Sequence, residues 1–178
     1  MRVFADKGYE ATSLCDLTAA MGINRGSMYA TFGNKETLFV RAMERFTRAR
    51  ENQVAACFSA GSAREAVHQL LQEGVRMFTN PEGLGVCFVT QGPFDASSVT
   101  EETRAFMARK RAGIEQSLKK LFEKYIETGE LSRGVSAEEL ARFYSVVVQG
   151  MALQAQHGGT KEQLESVVAV AMGRWPRP

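Results

Sequence analysis

Residues 13–32 read SLCDLTAAMGINRGSMYATF, and this stretch decides the fold. It holds the parts of a helix-turn-helix: two short helices, a tight turn and a small apolar seam between them. Leu14, Leu17 and Met21 recur at helical spacing and make the inner face of the first helix. Gly22 supplies the left-handed conformation that the turn requires. Ile23 and Met28 close the seam, and Phe32 anchors its far end. The second helix then leaves Asn24, Arg25, Ser27, Tyr29, Ala30 and Thr31 outward, with Gly26 permitting close approach. Short polar donors with one arginine and one tyrosine suit base edges in a major groove and the phosphates beside it. Arg25 can reach a guanine edge or a phosphate. Tyr29 can donate its hydroxyl to a phosphate while its ring rests on a sugar or a thymine methyl. Thr12 and Ser13, at the start of the first helix, complete this surface. Lys35, in the first turn of the next helix, can hold a phosphate beside free backbone amides. Any one of these side chains alone would be a solvated surface group; the set at this spacing points to DNA.

Outward from the motif the chain is punctuated as a series of helices. Gly8, Gly22, Gly33, Gly61, Gly129 and Gly158 each follow a helical stretch. Ser62 with Glu65, Ser98 with Glu101, Ser136 with Glu139 and Thr160 with Gln163 have the spacing of capping boxes. Asn34 caps a helix without a reciprocal partner. The spacing predicts helices over roughly 1–7, 13–21, 25–32, 34–59, 62–79, 85–96, 99–128, 136–157 and 160–175, an all-α chain of about nine helices. Val86–Thr90 has strand-like composition but stands alone between Gly- and Pro-containing stretches, so a short buried helix is expected there. Phe106, Met107, Ile114, Leu118, Leu121, Phe122 and Tyr125 form one apolar stripe. Segment 136–157 carries Leu140, Tyr144, Val147, Val148 and Met151 on one face and Phe143, Val146, Gly150 and Leu153 on the adjoining one. Apolar over more than half its circumference, it is either central or shared with another subunit. A boundary near residue 48, inside the fourth helix, divides a DNA-binding part (1–48) from a regulatory and dimerisation part (49–178).

Composition narrows the function. With 44% hydrophobic and 24% charged residues the chain is an ordinary globular one, not a disordered one. No run approaches the roughly 18 apolar residues that span a bilayer, so no membrane role is expected and the cytoplasm is the default location. The net charge is +2. Residues 1–50 hold eight Lys/Arg against five Asp/Glu, and residues 51–178 hold fourteen against fifteen, so the excess of about +3 lies on the motif's side. Cys15, Cys57 and Cys87 are far apart and set among apolar neighbours; each is expected to be a small buried hydrophobe. With only His68 and His157 besides, no metal site or cofactor is expected. There is no GxSxG, P-loop or HExxH pattern, and nothing in sequence supplies a base to Cys87 or Asp95, which argues against an enzyme.

The stretch FADKGYEATSLCDLTAAMGINRGSMYATFGNKETLF, residues 4–39, closely resembles the N-terminal module of the tetracycline-repressor (TetR) family of regulators. The matching features are Phe4, the Gly8-Tyr9-x-x-Thr12-Ser13 segment, the glycine-ended helix, Tyr29, and the F-G-x-K-E-x-L-F run from Phe32 to Phe39. The likeness is specific over about residues 1–46; beyond that it lies only in the helical layout. It implies a repressor that is a homodimer, with two recognition helices one DNA turn apart, roughly 34–36 Å, on a near-palindromic operator. It implies that the last two helices pair with their mates as a four-helix bundle. The dimer residues expected are Phe143, Val146, Gly150, Leu153, Val167, Val168, Ala171, Met172 and Trp175. It implies too that a small-molecule effector enters a cavity in the body and releases the DNA. The expected lining is Met77, Phe88, Gln91, Phe94, Phe106, Met107, Phe143, Tyr144, Val147 and Met151, with Arg76 and Gln149 as further polar groups. Two departures stand out. Thr18 lies where the family usually has alanine. The family also usually carries about ten or more residues ahead of Phe4, so the first helix is expected to be truncated here. Control by thiol oxidation or by a partner protein is the alternative to a small ligand.

Overall fold

The computed structural model describes residues 1–80 and 99–176, and among them every regular element is a helix: α1 Arg2–Ala11, α2 Leu14–Met21, α3 Arg25–Phe32, α4 Lys35–Cys57, α5 Ala63–Phe78, α6 Glu101–Glu127, α7 Ala137–Gln156 and α8 Lys161–Gly173. The helix expected over 85–96 lies outside the described residues, as do Cys87, Phe88, Gln91 and Phe94.

Side-chain caps set most of the helix starts. The Ser62, Ser136 and Thr160 oxygens accept from the backbone N–H three residues on. At Thr160 the box is complete, because Gln163 reaches back to the cap N–H. Helix α6 starts later than expected: Thr100 is its cap and accepts from the Thr103 N–H at 3.2 Å. The first helix is also longer than expected. At Gly8 the backbone leaves helical geometry (φ 75°, ψ 172°), and a further turn follows that swings Tyr9 into the interior. Thr12 secures this bend, its hydroxyl donating to the Gly8 carbonyl at 2.6 Å.

Two apolar clusters result. The larger is built by α5, α7, α8 and the second half of α6, with Leu71, Leu118, Phe122, Tyr144 and Met151 among its buried members. Trp175, after α8, packs its ring 5.8 Å from Tyr144 and 6.2 Å from Phe122. The smaller cluster joins Phe4, Tyr9, Leu17, Leu38, Phe39 and Met43 to Val99, Phe106 and Met107. Helix α4 serves both, with Met43 and Phe46 in the smaller and Val54 and Cys57 in the larger. The first turns of α6 therefore belong, by packing, to the N-terminal helices.

Candidate DNA-binding site

The recognition surface is built from α2, α3 and the turn between them. Ser13 opens α2: its hydroxyl accepts from the Asp16 N–H at 3.1 Å, and the Asp16 carboxylate accepts from the Ser13 N–H at 2.9 Å. Lys7 reaches the same carboxylate at 2.7 Å, tying α1 to α2. Hydrogen bonds from Lys7 and Ser13 hold the Asp16 carboxyl well below the usual carboxylate range. Gly22 ends α2 at φ 65°, ψ 31°, the left-handed region the turn needs. Asn24 then opens α3, its side-chain oxygen accepting from the Ser27 N–H at 2.8 Å. Met28 is fully buried and pins the inner face. Thr18, the departure from alanine, is buried without an unmet hydrogen bond, because its hydroxyl donates back to the Leu14 carbonyl at 2.9 Å.

Outward, α3 presents what its sequence promises. Arg25, Gly26, Ser27, Tyr29 and Thr31 are all exposed, and Tyr29 keeps 47% of its surface in solvent. Arg25 and Tyr29 are one helical turn apart and share a face. Lys35 lies at the edge, where its ammonium donates to the Glu10 carbonyl at 3.3 Å and sits 4.4 Å from the Tyr9 ring centre. It thereby braces α1 while keeping donors for a phosphate. Thr12 does not belong to the surface: it is 1% exposed and its hydroxyl serves Gly8 and Val3, so its role is to shape α1. One residue was missed. Arg41 donates to the Thr31 carbonyl at 3.1 Å and lies over the Phe32 ring, holding the C-terminal end of α3. A cation placed soon after a short helix that has none in its last turn was the available signal.

The body departs from expectation in what lines its cavity. A cavity of about 800 Å³ opens between α4, α5, α6 and α7. Its walls, among the described residues, include Phe46, Phe58, Phe78, Ile114, Val148 and Gln149. Of the described residues expected to line it, Gln149 does so and the others do not. Phe106 and Met107 pack into the N-terminal cluster instead. Tyr144 and Met151 are fully buried in the body core, and Met77 and Val147 pack against it. The Tyr144 hydroxyl donates to the Ala171 carbonyl at 3.3 Å, and burial pushes its titration up to about 12. Phe143 is exposed on α7. Arg76 points outward and pairs with Glu73 at 2.7 Å.

The expected dimer residues divide in the same way. Val168, Ala171 and Met172 are buried in their own chain's core, and Trp175 packs its ring against that core, so these four turn inward. Phe143, Val146, Leu153 and Val167 stay exposed, Val146 at 61%, and Gly150 lies on the same open face. Val170, unmarked in the sequence, is the most exposed large apolar side chain among the described residues at 69%. Cys15 is exposed on α2, against expectation; Cys57 is buried, and burial pushes its thiol up. Among the described residues no three His, Cys, Asp or Glu gather as metal ligands, and no helix is long and apolar enough to cross a membrane.

Comparison with known proteins bears directly on this arrangement. Residues 1–42 match the family described as bacterial regulatory proteins, tetR family, and residues 61–171 match the tetracyclin repressor-like C-terminal domain. The HTH-type transcriptional repressor ComR of Escherichia coli is 26% identical, over 99% of this chain and 85% of its own length. The uncharacterised HTH-type regulator YezE of Bacillus subtilis is 27% identical, over 97% and 90%. Among solved structures, the TetR family regulator CifR, as a cysteine mutant complexed with a 26-base-pair operator duplex, superposes with a TM-score of 0.88 at 35% identity, covering 98% of this chain and 92% of its own. Helix-turn-helix, body and relatives agree over nearly the whole length: the chain belongs to the tetR family of bacterial regulatory proteins and is a DNA-binding transcriptional regulator, not an enzyme.

Proposed function

We propose that the protein is a homodimeric repressor that reads a near-palindromic operator with α3 and is released by a small molecule bound in the body cavity. The observation that carries the reading is the exposed face of α3, where Arg25 and Tyr29 project from a helix fixed by the Asn24 cap and the buried Met28. Two copies are required because one short helix contacts too few base pairs for a selective site, and twofold symmetry doubles them at a spacing of roughly 34–36 Å. The open apolar face of α7 and α8, with Val146, Leu153, Val167 and Val170, supports the pairing.

Footprinting on the DNA upstream of its own gene, followed by anisotropy titration of the protected segment, tests the assignment. Arg25→Ala with Tyr29→Ala is expected to weaken specific binding by about 10- to 100-fold, in line with about 1–3 kcal/mol per bidentate base contact. Dimer and fold, read by sedimentation and melting, should be unchanged. Wild-type affinity in the double variant overturns the site.

A further inference from the structure

The outer face of α4 carries arginines that the fold itself does not use. Arg41, Arg45 and Arg48 are all exposed, and they follow one another at four and three residues, so they form a single stripe. Among the described residues they line one open hollow along the helix, together with Glu44, Ala49 and Asn52. On other helices the exposed arginines are matched locally, Arg76 by Glu73 and Arg142 by Glu138. Here neither Arg45 nor Arg48 makes an ion pair among the described residues, although Glu44 lies three residues from Arg41 and four from Arg48. Like charges one turn apart repel, a local penalty that an external anion would relieve. The stripe also begins at the recognition helix. Arg41 donates to the Thr31 carbonyl at 3.1 Å, which places its guanidinium at the C-terminal end of α3. The eight residues of α3 span about 12 Å, close to the width of the major groove, so neither end of a helix lodged there is far from a phosphate rim. Arg45 and Arg48 follow about 6 and 10 Å further along α4.

We infer that this stripe is a second contact with the operator duplex, blind to sequence: Arg45 and Arg48 hold backbone phosphates beside the groove that α3 reads, and Arg41 joins the two surfaces. The inference rests on the reading of α3 as the recognition helix. Guanidinium donors at successive turns suit a polyanion that carries one charge per about 1.7 Å of its axis. Phosphate contacts of this kind fix register and add affinity without choosing among bases.

The variant Arg45→Gln/Arg48→Gln tests it in the full-length protein. Anisotropy titrations at several salt concentrations compare the footprinted operator duplex with an unrelated duplex of equal length. The slope of log affinity against log salt should fall by about 1.8, about 0.9 for each lost phosphate, and operator affinity near 0.1 M salt should drop at least about tenfold. Affinity for the unrelated duplex should drop by a similar factor, so the ratio between the two stays within a few-fold of the wild type. Arg25→Ala/Tyr29→Ala, by contrast, should lower that ratio. Arg45→Lys/Arg48→Lys should keep most of the slope, because charge is what the stripe supplies. An unchanged melting temperature would show that the fold survives the exposed substitutions; if the double variant melts lower, each single Gln variant should still lower the slope by about 0.9. A wild-type slope in the Gln variants overturns the inference and leaves the α3 reading standing; it is also the outcome if the stripe serves an acidic protein instead. A loss confined to the operator duplex overturns it too, since that is base reading. A wild type that prefers neither duplex overturns the α3 reading, while the slope on both still decides the stripe.

Discussion

At the level of single residues the motif is held by hydrogen bonds that leave its reading face open. Gly22 shows how local the constraint is. A Cβ added there meets nothing within 4 Å, so steric room is not the issue. The cost of Gly22→Ala lies in the positive φ alone, and should be about 1–2 kcal/mol of stability. Urea unfolding should show a lower midpoint at an unchanged slope. Lys35→Ala should act twice: the salt slope of operator binding falls by about 0.9 for one lost phosphate contact, and α1 loosens as its carbonyl and Tyr9 contacts go. Competition titrations at several salt concentrations separate these effects. The inward residues Leu17 and Met28 were legible because helical spacing names a face. The bracing role of Lys35 was not, because its partners Tyr9 and Glu10 lie 25 residues away or more and become neighbours only in the folded chain.

Helices α4 and α6 show what periodicity leaves undecided. The apolar stripe through Phe106 and Met107 turns inward, Met107 buried and Phe106 partly so, but spacing does not say which helix covers it, and here the cover comes from the N-terminal module. Glu36, in the first turn of α4, accepts from both the backbone N–H and the hydroxyl of Thr100 at 2.9 and 2.7 Å, fastening the DNA-binding helices to the start of α6. Burial opposes ionisation of Glu36, but hydrogen bonds from Thr103 and Thr100 and the nearby charge of Arg104 outweigh it and leave the carboxyl below its ordinary 4.5. A depressed carboxyl contributes stability that is present above its ordinary value and is lost as pH falls through the lowered one. The wild type should therefore melt above Glu36→Gln at neutral pH, and the gap should narrow as pH falls below the ordinary 4.5. A constant gap across that range would assign the effect to packing and not to charge. On α8, Val170→Asp alters a side chain that lies outside the core and the cavity, so it should raise the monomer fraction in sedimentation while each subunit keeps its fold.

Across the whole molecule, the DNA-reading part was far more legible than the regulatory part. A helix-turn-helix is a local object, and its turn, caps and seam all fall within Ser13–Phe32. The cavity is assembled from four helices spread over more than a hundred residues, so counting aromatic and methionine side chains selected Tyr144 and Met151, which fill the core instead. Tyr144 also sets an alkaline limit on stability. Its raised value, about 12, means that the neutral hydroxyl contributes stability fully present below the ordinary 10 and lost as pH rises toward 12. Tyr144→Phe removes that ionisation, so the variant should lose less of its stability between those two values than the wild type, as read by chemical denaturation. The sequence contains one tryptophan, Trp175, packed at the body core between two rings and remote in the chain from the recognition helix. Its emission is thus a built-in optical gauge of the body alone, able to time a rearrangement there independently of a dye on the duplex, so that one stopped-flow mixing experiment yields the order in which the two halves respond.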